Sequence, residues 1–207
     1  MQINKKSAMT LAEVLMVLVI IGTVSALTVP GLKKYSQRSE YAKLAQKGYN
    51  TLQGAFDLAV ANEEKDPDEW SGTNVASFLL RDYLGKYMNK AEDCSASYGS
   101  SNSCFKGITP YSGGTVQTPS VRSMILPDGI SISASGNNSG GVAMNAFIVD
   151  VNGPNEPNRE GVDIFIFNYG KYNANCTATA SDGQWKFCPA NNHTRQLMED
   201  GWRITYW

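Results

Sequence analysis

The distribution of apolar positions along the chain is uneven, and the unevenness sets the architecture. Met9 to Val29 is a run of 21 residues whose one ionisable side chain is Glu13. At about 1.5 Å per residue, a helix of that length covers roughly 31 Å, the hydrocarbon thickness of a bilayer. Beyond it the pattern turns amphipathic. Ala45, Tyr49, Leu52, Phe56 and Ala59 recur at spacings of four and three, while Lys43, Gln46, Lys47, Asn50, Gln53 and Asp57 fall between them. That spacing predicts a continued helix with one face seeking apolar cover. Pro30 and Gly31 are expected to kink or locally melt it, and Glu63-Glu64-Lys65-Asp66-Pro67 to end it. Four segments follow: 1–8 a basic leader, 9–29 a membrane-length helix, 30–64 its amphipathic continuation, and 65–207 a head.

The head reads as short elements separated by turn residues. Thr73 or Asn74 is placed to cap a short helix with Val75, Phe78, Leu79, Tyr83 and Tyr87 on its apolar face. Met124-Ile125-Leu126 and Ile130-Ser131-Ile132, joined by Pro127-Asp128-Gly129, predict a hairpin. Ala143 to Val151 and Asp163 to Phe167 predict two further strands. Gly201 ends a short helix, and Trp202 to Trp207 is expected to form a final strand. The class implied is α+β, with a small antiparallel sheet packed on the C-terminal half of one long helix.

Composition narrows the function. Lys and Arg number 18 against 19 Asp and Glu, so no basic stripe for nucleic acid is expected. Asn4-Lys5-Lys6 before the apolar run favours a cytoplasmic N-terminus with the remainder exported. Cys94, Cys104, Cys176 and Cys188 all lie in the exported part. Four cysteines in an oxidising space read as two disulfides with three pairings open, of which neighbour with neighbour is simplest. Zinc is disfavoured, because the spacings are long and His193 is the one histidine.

Glu13 carries the most information. A carboxylate within a membrane segment is costly without a partner. A free α-amino group on a neighbouring copy, made by cleavage between Ala8 and Met9, answers that cost and leaves Glu13 as the fifth residue of the mature chain. Snorkelling to the headgroups is the simpler alternative. The stretch Ala8-Met9-Thr10-Leu11-Ala12-Glu13-Val14-Leu15, continuing through Val19-Ile20-Ile21-Gly22 to Val29-Pro30, resembles the prepilin signature of type IV pilins and type II secretion pseudopilins. Where that family usually has Gly and Phe, this chain has Ala8 and Met9.

The resemblance implies cleavage after Ala8 by prepilin peptidase, N-methylation of Met9, and filament assembly through the apolar helix, with Glu13 and Pro30 as assembly residues. It also implies a single-pass bacterial inner-membrane protein with its head outside, partnered by other pilins or pseudopilins and an assembly platform. The filament then stands in the periplasm or on the cell surface. A membrane-anchored binding or adhesin module is the competing reading.

Asp150, Asn152, Asn155 and Asp163 gather hard oxygen donors around Asn152-Gly153-Pro154-Asn155-Glu156-Pro157-Asn158. The loop looks broadly like the calcium loops of some pseudopilins. Plain turn chemistry is the simpler expectation, and no cofactor is required. No nucleophile elbow, Walker or HExxH motif is present, so an enzyme is not expected. Tyr98, Tyr111, Tyr169, Tyr172 and Trp185 are candidates for surface contact or, more simply, lids over a thin sheet.

Overall fold

A computed structural model describes residues 9–63, 66–70, 75–94, 104–117, 121–136, 143, 145–179 and 183–207. The leader with Ala8, the caps Thr73 and Asn74, Glu64, Lys65 and Tyr98 lie outside these residues. The chain divides into two compact units, Met1–Arg38 and Ser39–Trp207.

Helix α1 runs Leu11–Asn62. It remains helical through Pro30, so the expected local melting does not occur. Proline removes one main-chain donor, and the bonds of the flanking turns hold the register. The helix stops where Asp66-Pro67 begins a 3₁₀ turn, Pro67–Glu69.

In the second unit, α1 buries Ala42, Ala45, Gly48, Leu52, Ala55, Phe56 and Ala59. The stripe anticipated from the spacing is thus the buried face, with Tyr49 partly covered. Helix α2, Ala76–Asp82, is shorter than expected and rotated. Its buried residues are Ala76, Ser77, Leu79 and Leu80, while Phe78 is 40% exposed under the Arg81 guanidinium. A helix beginning at Ala76 places Phe78 about 200° from its inward face.

Among the described residues, six strands form one antiparallel sheet in sequential order: β1 Glu92–Asp93, β2 Val121–Ile125, β3 Ser131–Ser135, β4 Ala146–Asp150, β5 Ile164–Tyr172 and β6 Gln184–Pro189. The β2–β3 turn is the Asp128-Gly129 hairpin, with Gly129 at φ 87° and Leu126 N–H donating to the Ile130 carbonyl at 2.9 Å. Lys47 of α1 reaches Asp128 in that turn at 2.6 Å.

The pleat sorts side chains between two cores. Met124, Ile132, Phe147, Val149, Phe165, Phe167 and Phe187 pack with α1 and α2. Val121, Ala146, Ile148, Ile164 and Ile166 face the other way, beneath Phe105 and Ile108. Both faces of the central strands are therefore dry.

Helix α3, Asn192–Glu199, is capped by Asn191, whose side chain accepts from Thr194 N–H at 2.8 Å. Its end is a Schellman turn: Trp202 N–H donates to the Leu197 carbonyl and Gly201 N–H to that of Met198. Gly201 and Trp202 both take positive φ. This turn replaces the expected final strand: 202–207 carries no strand pairing and instead packs Ile204, Tyr206 and Trp207 on the core.

Candidate functional site

Two places concentrate unusual chemistry, one in each unit. The first is the start of α1. An 18-residue window there has a mean hydropathy of 2.3, and none of it is buried within the chain. Leu11, Leu18 and Leu27 are 77%, 60% and 84% exposed, and Met9 is 66% exposed just before the helix. Such an apolar patch is far larger than a soluble surface tolerates and is stable only under apolar cover. By length and composition it is a candidate single membrane span.

Glu13 sits in the first turn of this helix. Its Oε2 accepts from both the Thr10 main-chain N–H and the Thr10 hydroxyl at 2.8 Å, and its own N–H donates back to Thr10 Oγ1 at 3.3 Å. This is a capping box, Thr10-Leu11-Ala12-Glu13, which satisfies orphan donors of the helix start and sets a negative group against its positive end. The Thr-x-x-Glu spacing was visible in the sequence and gives Glu13 a local role beside any intermolecular one. Both bonds fall on Oε2. Pro30 is exposed within the same helix.

The second place is the connection between β4 and β5. Asp150 closes β4 and pairs with Ile164, while Val151 N–H donates to the Asp163 carbonyl at 2.9 Å, so the two aspartates stand at the same end of the ladder, near enough for their charges to interact. Both are buried, at 1% and 0% exposure. Asp163 is well held: Oδ1 accepts from Arg159 N–H at 2.6 Å and Oδ2 from Asn158 N–H at 2.9 Å. Asp150 is not. Among the described residues neither of its oxygens has a hydrogen-bond partner of good geometry, although the Asn152 main-chain amide lies nearby, and Asn152 Oδ1 and Asn158 Oδ1 are likewise buried without a partner.

Burial and the neighbouring Asp163 carboxylate push the Asp150 acid well above the usual carboxylate range, and the Asn152 main-chain amide offsets this only partly. Burial also raises Asp163, against the pull of its main-chain donors. Four orphaned side-chain oxygens in one loop are costly unless something electropositive meets them. A protonated Asp150 serves one acceptor; a hard divalent cation serves several, and oxygen donors of this kind suit calcium.

The loop's backbone holds these groups in place. Gly153 lies at φ 64°, where an added Cβ would stand 2.8 Å from the Gly129 carbonyl oxygen, and Asn158 takes φ 46°. Asn152 Nδ2 donates to the Glu156 carbonyl at 3.0 Å and to the Tyr41 hydroxyl at 3.4 Å, and its side-chain amide also helps to hold the Asp163 carboxylate. Of the residues anticipated, Asp150, Asn152 and Asp163 come together. Asn155 does not join them: it is exposed and braces the Asn152 carbonyl. Asn158 was missed, since its sequence context is ordinary turn chemistry.

The cysteines pair as Cys94–Cys104 and Cys176–Cys188. The first ties the end of β1 to the segment that carries Phe105 and Ile108 over the second sheet face. The second ties the β5–β6 loop to β6. A cluster of Glu92, Cys94 and Cys104 has its sulfurs in that disulfide and so offers no thiolate. His193 lies in the first turn of α3, its ring 4.0 Å from Tyr111 and its Nδ1 3.7 Å from Glu160. Tyr169 is a core residue stacked on half-buried Trp185, so of the aromatic candidates these two are lids over the sheet. No family model, curated protein or solved structure matches this chain.

Proposed function

We propose that this chain is a structural subunit of a type IV pilus-like or type II secretion pseudopilus filament, with a pilin-like division into an apolar assembly helix and an exported, non-catalytic head. The observation that carries the proposal is the uncovered apolar half of α1 with one carboxylate in its first turn. Lipid covers this surface while the subunit waits in the inner membrane, and identical surfaces of neighbouring subunits cover it in the filament. Prepilin peptidase cuts after Ala8, and the Met9 amine becomes the methylated N-terminus. Glu13 Oε1 receives the amine of an adjacent subunit, while Oε2 keeps its bonds to Thr10. That pairing satisfies two charges in apolar surroundings and fixes the axial register between copies.

Sequencing the N-terminus of the mature protein tests this. A start at Met9 is expected. An intact Met1 would instead favour an anchored binding module that does not polymerise, and a start at Leu27 a cleaved secretory signal.

A second reading concerns the head, and the orphaned Asp150 oxygens favour it. Asp150, Asn152, Asn158 and Asp163 hold a calcium ion, which supplies the positive charge that the buried carboxylates lack. Its role is structural: it closes the β4–β5 connection against the end of the sheet. Calcium titration of the purified protein, followed by melting temperature with and without chelator, tests it; an unchanged temperature removes calcium from the account.

A further inference from the structure

The four residues that follow Pro30-Gly31 are Leu32, Lys33, Lys34 and Tyr35, and all are exposed. At about 100° per residue, four consecutive helical positions cover the whole circumference. Leu32 and Tyr35 fall about 60° apart on one side, and the two lysines take up the other. This is a collar with an apolar-aromatic half and a cationic half.

Its height along the helix is as informative as its composition. If Met9 to Val29 fills the hydrocarbon, Lys33 and Lys34 stand roughly 6 to 8 Å beyond the boundary, since each residue rises about 1.5 Å. The headgroup layer on each side is roughly 5 to 8 Å deep. Both residues thus lie at phosphate level, on the face opposite the N-terminus, where a long cationic side chain can keep its ammonium group among the headgroups. Tyr35 is the residue type that favours the same layer.

We infer that Leu32–Tyr35 is an anionic-lipid collar: Lys33 and Lys34 bind the phosphates of acidic phospholipids in the outer leaflet of the membrane from which the subunit is drawn. This rests on the membrane-spanning reading of α1 given above and adds to it a specific ligand class. The charge argument also has a temporal side. The uncleaved chain carries Lys5 and Lys6 at the other end of the span. Once they are removed, the remaining positive bias lies at the outer face. The collar then holds the waiting subunit by the end nearest the site of assembly.

The experiment uses the full-length chain in bilayers of phosphatidylcholine, with spin-labelled phosphatidylglycerol or phosphatidylcholine as the reporter lipid. A span in the bilayer gives a motionally restricted lipid component with either label. The expected result is that phosphatidylglycerol is selected by up to about fivefold per lysine at low salt, that selection falls as salt rises, and that Lys33→Gln/Lys34→Gln lowers it to the share that Lys5 and Lys6 sustain. A restricted component of equal size for both lipids in the wild type overturns the collar while leaving the span intact. No restricted component at all overturns the span itself. A Lys33→Arg/Lys34→Arg variant keeps the charge and is expected to retain selection; its loss would also overturn the proposal.

Discussion

The two ends of α1 belong to one continuous helix and have opposite surroundings. Gly22 and Gly31, in the N-terminal half, would meet nothing within 4 Å if given a side chain. A Cβ on Gly48 would stand 2.4 Å from a Val149 methyl, and Ala42, Ala45, Leu52 and Ala59 around it are buried. Helical periodicity alone does not distinguish the halves. Amphipathicity does: the C-terminal half keeps polar residues on one side because the chain covers only the other, whereas the N-terminal half is apolar all round because whatever covers it surrounds it. The lesson is that a uniformly apolar helix in a chain of this size declares an intermolecular environment.

The contrast can be broken by substitution. The largest effect is expected from Glu13→Val, which removes the carboxylate from the open half. Filament yield on electron micrographs should fall to background while the melting temperature of the head stays put; wild-type assembly would end the amine-pairing account. Next is Phe56→Ala in the covered half. Phe56 meets Trp70, Tyr169 and Phe187 at ring distances of 5.4 to 6.3 Å. Its truncation should cost about 3–5 kcal/mol by denaturant unfolding in detergent. Leu18→Ala in the open half should stay within about 0.5 kcal/mol in the same assay.

Cation and pH come third. Calcium at 100 times its dissociation constant should stabilise the head by about 2.7 kcal/mol. Without metal, the sign follows from the raised Asp150 acid. The folded state favours the protonated form, so its contribution is complete below the ordinary carboxylate range and is lost as pH rises through the folded-state value. Asp163 is shifted the same way and adds to this trend. The metal-free protein should therefore melt at a higher temperature near pH 5 than near pH 8, and calcium should help most at the higher pH. Asp150→Asn should flatten both dependences. The smallest effect sharpens the glycine comparison: Gly48→Ala should destabilise by about 1–2 kcal/mol as Val149 is displaced, whereas Gly22→Ala should be neutral or slightly stabilising.

Local signals were enough for α1, its buried stripe and the Asp128-Gly129 hairpin, because each depends on residues within a few turns or a single reversal. β6 was missed although Gln184-Trp185-Lys186-Phe187 alternates. Lysine and glutamine in so short a run hide a strand whose place is fixed by pairing with β5. The same distance effect explains the extra length of β5 beyond Phe167. Trp202–Trp207 misled in the other direction: its aromatic content suits a strand, but the left-handed pair Gly201-Trp202 turns the backbone out of any ladder. At the β4–β5 connection the sequence showed the oxygen donors and hid their burial. The segment at Thr109 lies against this connection, bridged to Arg159 and donating to the Asn158 carbonyl, a tertiary contact that no spacing rule reports.

The sheet order, β1 to β6 without a crossover, has a consequence for biogenesis. In a meander every strand pairs with the strand just before it, so the loops closed after β2 stay short, the long β1–β2 connection being the exception. A head that emerges progressively, its amino-terminal side first, can lay down this fold strand by strand. The Cys176–Cys188 crosslink, near the carboxyl end, then seals the last hairpin only after the others are in place.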